Sequence, residues 1–146
     1  MSNDTFFEPI PFDDSEAIEF DDSPAPEADY ELQVSEAKAG TSKAGNPKID
    51  WAFRIVEDFD GHDGKYVWHT TPTTGRGAGM FKAVIKALGY DFAEWLDEAG
   101  GMITPESLLS LYGERVSARI KIDVPTEEVI AAYPNAKERN KIHRFL

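Results

Sequence analysis

The chain has 146 residues, no cysteine, and 27 acids against 15 lysines and arginines, for a formal net charge of −12. That length suits one domain with a modest core, and the lack of cysteine excludes disulfides and thiolate metal sites. No apolar run is long enough to span a membrane, no basic-then-apolar leader opens the chain, and the net charge has the wrong sign for simple phosphate binding.

Residues 1–28 read as an acidic tail and residues 29–146 as the folded domain. Eleven of the 27 acids fall within residues 1–31, which hold no lysine or arginine. The remainder carries 16 acids against 15 bases, so it is nearly neutral and can present a basic face. Phe6, Phe7, Ile10, Phe12, Ile18 and Phe20 sit among the tail carboxylates, and Pro9, Pro11, Pro24 and Pro26 discourage regular structure. Three roles fit this composition. The tail could solubilise the chain. It could supply a peptide that occupies the protein's own basic groove or recruits partners. Its phenylalanines could pack on the domain or on a neighbouring subunit.

Three strands follow. Tyr30, Leu32 and Val34 alternate with polar residues; Ile49, Trp51, Phe53 and Ile55 do so next; Tyr66 and Trp68 do so last. A period of two marks a strand, and short glycine-containing breaks at residues 40–47 and 58–64 join the three into an antiparallel meander. Trp51 shares a strongly apolar face and belongs to the core. Strand 3 is ambiguous: Tyr66 and Trp68 share one side, Val67 and His69 the other, and a one-residue slip exchanges them.

Residues 76–88 then carry Met80, Phe81, Val84, Ile85 and Leu88 at helical spacing, with Thr73 or Thr74 as the expected cap and Gly89 at the end. Phe92, Trp95 and Leu96 predict a short continuation, and Pro105 a further first turn. Residues 115–124 form a fourth strand with Val116, Ala118, Ile120 and Ile122 on one face, and residues 140–146 (NKIHRFL) a fifth. Between them, residues 125–139 read as a short amphipathic helix with Val129, Ile130 and Tyr133, or as a long hairpin arm. Three strands, a helical insert and two strands is the order of an OB-fold, a mainly β, five-stranded, partly open barrel that binds oligonucleotides through strands 2 and 3 and its loops.

Residues 30–39 (YELQVSEAKA), 41–47 (TSKAGNP), 58–65 (DFDGHDGK), 87–90 (ALGY) and 138–146 (ERNKIHRFL) resemble a family of small phage-encoded proteins that includes single-stranded DNA-binding proteins. The resemblance runs from about residue 28 to residue 146. It implies an OB-fold, no catalysis, and a role in phage DNA replication or recombination, in the cytoplasm of an infected bacterium.

On that fold, candidate DNA-binding residues are Lys43 and Lys48 around the first loop, Arg54, Lys65, Tyr66, Trp68 and His69 on strands 2 and 3, and Arg76 at the helix entry. Arg119 and Lys121 on strand 4 and Lys137, Arg139, Lys141 and Arg144 around strand 5 complete the set. Bases would neutralise phosphates and rings would stack on nucleobases. Isolated exposed bases are also ordinary surface. Enzyme readings lack a constellation. GRGAG at residues 75–79 has no following lysine and Ser/Thr for a phosphate loop, DFDGHDG lacks a closing glutamate for a calcium loop, and the three histidines have no ligand spacing.

The expected protein is therefore a non-catalytic coat for single-stranded DNA, with no cofactor and no metal. Replication or recombination proteins would be partners through the tail, and a homo-oligomer is compatible with the sequence. The alternatives are a protein-interaction module and an acidic DNA mimic that blocks a nucleic-acid enzyme.

Overall fold

The computed structural model describes residues 9–13, 15, 23–58 and 60–146. Five antiparallel strands form one sheet: β1 (Ala28–Thr41), β2 (Pro47–Val56), β3 (Tyr66–Pro72), β4 (Arg115–Asp123) and β5 (Arg139–Phe145), in the spatial order β3-β2-β1-β4-β5. Three helices stand between β3 and β4, α1 (Ala78–Ala87), α2 (Phe92–Glu98) and α3 (Pro105–Leu109), and α4 (Glu127–Ala132) stands between β4 and β5. The chain is thus mainly β, with the element order read from the sequence.

The curvature starts in β1. Its pairing with β2 shifts between Val34 and Glu36, leaving Ser35 as an extra residue. A bulge bends and twists the strand that carries it. The first half of β1 therefore pairs with both β2 and β4, and its second half with β2 alone. The sheet curls until its two edge strands meet side chain to side chain: Phe145 of β5 lies 5.9 Å from the His69 ring and 6.2 Å from Phe53. No ladder joins β3 to β5, so the sheet is not closed.

Leu32, Val34, Ile49, Trp51, Phe53, Ile55, Val67, Val116, Ala118 and Ile120 fill the interior. Phe81, Val84 and Ile85 of α1 join them, with Phe81 between Trp51 (5.9 Å) and Trp95 (5.8 Å). The threonine cap expected for α1 does not form. Thr73 extends the β3 pairing through its N–H to the Pro47 carbonyl, 3.3 Å. Gly77 takes the N-cap position instead, with no side-chain cap, and a Cβ there would lie 2.7 Å from the Pro72 ring. Close packing of the entry turn on β3 decides the residue type. Thr104 and Ser107 form a reciprocal capping box ahead of α3.

The packed body also takes in residues that composition assigns to the tail. Ala25 is fully buried, and its backbone N–H and C=O both bond the Asn140 side chain, each at 2.9 Å. Lys65 Nζ donates to the Ser23 carbonyl at 2.8 Å, Tyr30 OH to the Pro26 carbonyl at 2.7 Å, and the Ile122 N–H to the Glu27 carboxylate at 2.9 Å. Residues 23–27 therefore join the first turn of β3 to the β4–β5 end of the sheet. Of the tail's apolar residues, Ile10 and Phe12 are exposed, and Phe6, Phe7, Ile18 and Phe20 lie outside the described residues.

Candidate nucleic-acid interface

Register settles the ambiguous strand. Phe53 pairs with Val67, Trp51 with His69 and Ile49 with Thr71, so Val67, His69 and Thr71 share the inner face with the core of β2. Trp51 fixes this phase chemically, because its buried indole N–H donates to Thr71 Oγ1 at 2.9 Å. Tyr66, Trp68 and Thr70 therefore point outward, opposite Arg54, Ala52 and Asp50.

The outer face of β2–β3 carries a built platform. The Tyr66 and Trp68 rings lie 5.6 Å apart at an interplanar angle of 17°. Both residues are exposed, at 46% and 58%. Ala52 across from Trp68 is 3% exposed, its methyl shielded by larger neighbours on this face. Arg54 stands across from Tyr66 and bonds the Gln33 amide oxygen at 3.4 Å. Further along, Asp50 accepts from Thr70 (2.8 Å) and pairs with Lys48 (3.2 Å), which offsets its charge. Lys38 of β1 lies across from Asp50 and is exposed. Two parallel rings bordered by Arg54, Lys48 and Lys38 suit a flat, negatively charged polymer: bases on the rings, phosphates on the cations.

His69 is not on this face, which corrects its place among the binding candidates. It is packed against Phe53 and Phe145, and burial pulls its pKa below the usual value. A histidine kept neutral in the interior offers no charge to a phosphate. The shift has a stability consequence. The folded pKa lies below the unfolded value of about 6.5, so the unfolded chain binds the extra proton in that window. Stability is full above pH 6.5 and falls as pH drops through the folded pKa. Urea midpoints compared at pH 7.5 and 5.5 should show that loss in the native chain, and a smaller one in His69→Phe.

The other candidates divide into two places. Around the platform, Lys65 begins β3 and anchors Ser23, while exposed Arg76 sits in the turn beyond β3. Lys43 at the tip of the β1–β2 turn donates to Tyr133 OH at 3.1 Å and lies 5.8 Å from its ring centre. That contact ties the turn to the end of α4, the short helix expected in the β4–β5 connection.

The second place is the outer face of β4–β5, where Arg119, Lys121, Arg139, Lys141 and Arg144 pair across the two strands. Arg119 is held by Asp29 (3.3 Å) and Lys141 by Asp123 (3.4 Å). Lys137 lies just before β5 and is exposed. The β4–β5 cluster flanks β1, with acidic Asp29 and Glu31 between it and the rings. The sequence-predicted residues therefore form a ring platform and a separate basic flank.

Lys38 escaped sequence reading because the Ser35 bulge breaks the period of two and hides which side of β1 it takes. Ala52 gives no signal by residue type, since only the opposite ring gives it a role. The DFDGHDG turn spends its aspartates on itself. The Asp58 carboxylate accepts from the His62 N–H at 2.7 Å, and the Asp63 carboxylate accepts from the Asp58 N–H. Among the described residues, no group of three or more His, Asp or Glu is placed to hold a metal ion, and no helix is long and apolar enough to cross a membrane.

No protein-family model and no curated protein sequence matches the chain. Among solved structures, it is similar to a chain of yeast RPA bound to ssDNA, at 12% identity and a TM-score of 0.41, over 90% of this chain and 82% of that one.

Proposed function

We propose that this protein is a non-catalytic, single-stranded DNA-binding protein built on an OB-fold. The observation that carries the reading is the exposed, parallel Tyr66–Trp68 pair on the outer face of β3, bordered by Arg54, Lys48 and Lys38. Large rings left in water on a sheet face mark a surface that expects a flat partner. A duplex keeps its bases stacked on one another, whereas a single strand can lay them on rings. The curled five-stranded sheet, with helices between β3 and β4, is the architecture that uses strands 2 and 3 in this way.

The mechanism is electrostatic tracking plus stacking, with little reading of base edges. The protein would coat exposed strands during phage replication or recombination, a context that the sequence resemblance supplies. A second reading, a module that docks replication or recombination proteins, draws on the exposed Ile10 and Phe12 among acids.

The test is fluorescence anisotropy with labelled oligothymidine and the matching duplex over a salt series. Single-strand binding should exceed duplex binding, and log affinity should fall linearly with log salt. No binding of either at low salt would sink the proposal.

A further inference from the structure

The ring platform has a charge-complementary segment tethered at its edge. Ser23 is held by Lys65, the residue just before Tyr66, through a 2.8 Å bond to its carbonyl. The chain upstream of Ser23 therefore leaves the packed body beside the two rings. Its next residues back are Asp22, Asp21, Phe20, Glu19, Ile18, Ala17 and Glu16.

An extended chain covers at most about 3.5 Å per residue, so Phe20 reaches roughly 10 Å from Ser23. A strand advances about 3.3 Å per residue, which places Trp68 roughly 10 Å along β3 from Lys65. The ring of Phe20 is thus within reach of the Tyr66–Trp68 pair, and the four acids around it are within reach of Arg54 and the cations beyond. The two surfaces match in kind: rings with bases on the sheet, a ring with acids on the segment.

From this we infer that residues 16–22 dock in cis on the outer face of β2–β3. There they occupy the place of a single strand, Phe20 against the rings and the carboxylates against the cations. Docking deepens the proposed function, and the competition part rests on that reading. A short tether gives an effective concentration in the millimolar range, so even a weak contact competes measurably. A nucleic acid must displace the segment, which favours long strands that offer many phosphates over short ones.

The experiment uses the full chain and a full-length variant, Glu16→Gln/Glu19→Gln/Phe20→Ala/Asp21→Asn/Asp22→Asn. The first readout needs no DNA. The indole N–H signal of Trp68 is assigned by Trp68→Phe in a nitrogen-15 correlation spectrum. It should shift between native chain and variant, while the signals of buried Trp51 and Trp95 stay in place. The second readout is oligothymidine affinity, which should rise roughly tenfold in the variant at low salt and converge on the native value as salt screens the segment.

An unmoved Trp68 signal overturns docking, whatever the DNA result. A Trp68 position that changes with protein concentration also overturns it, because the occupant is then a second copy. A shifted signal with no oligothymidine binding by either chain upholds docking and overturns the DNA-binding reading instead.

Discussion

Replacing Trp68 with alanine is expected to weaken oligothymidine binding by about 5- to 150-fold, the range that follows from roughly 1–3 kcal/mol per stacked base. Little else should change. Trp68 is 58% exposed, and its side chain makes no hydrogen bond among the described residues, so the thermal midpoint should stay close to that of the native chain. Trp68→Phe separates ring from size, because it keeps a π-face with less area and should recover much of the affinity. Tyr66→Ala should act in the same direction, and the double variant should lose less than the product of the two, since the rings stack on each other at 5.6 Å. Anisotropy titration at one fixed salt concentration checks all four. Unchanged affinity in Trp68→Ala would remove the platform from the binding surface.

Trp51→Ala should do the reverse. The two tryptophans sit on adjacent strands, one residue out of phase: Trp51 pairs with His69, and Trp68 with Ala52. That single step puts one indole inside and the other outside. Trp51 is fully buried, stacks on Phe53 at 5.8 Å and contacts Phe81 at 5.9 Å. Truncating a buried aromatic residue to alanine costs about 3–5 kcal/mol. Losing the indole N–H also strips Thr71 Oγ1 of its donor inside the core, a further cost of roughly 1–3 kcal/mol if no water replaces it. Against a total stability of about 5–15 kcal/mol, the variant stands near the folding limit. Urea denaturation should show the loss as a lower midpoint. Trp51→Phe retains most of the packing and should isolate the hydroxyl term, and adding Thr71→Val to it should restore part of the stability.

How much of this was legible depends on which force decides each feature. The strands of residues 49–55 and 115–123 announce themselves, because one buried face and one wet face impose a period of two. The helix at Phe81, Val84 and Ile85 does so at its own period. Strand 3 does not, since both of its faces carry rings. Its phase is set by Trp51 needing an acceptor at Thr71, a contact between residues twenty apart. His69 went to the wrong face for that reason.

Lys38 was missed because a bulge inserts one residue into the alternation. Residues 23–27 look like tail by composition, with prolines beside acids, yet Asn140 supplies both partners for the Ala25 backbone and draws it into the core. Composition records what a residue prefers on average. It does not record that a side chain 115 positions away completes two hydrogen bonds.

The unclosed seam gives the two halves of the sheet unequal stiffness. β1 is clamped by a ladder on either side, whereas β3, the strand that carries the rings, has only β2 beside it and rings, not backbone bonds, toward β5. A ligand pressing on Tyr66 and Trp68 thus works against one ladder and a sliding aromatic contact. The platform can tilt with bases of different size while the remaining strands keep their register. Compliance of that kind lets one surface accept purines and pyrimidines without a separate pocket for each.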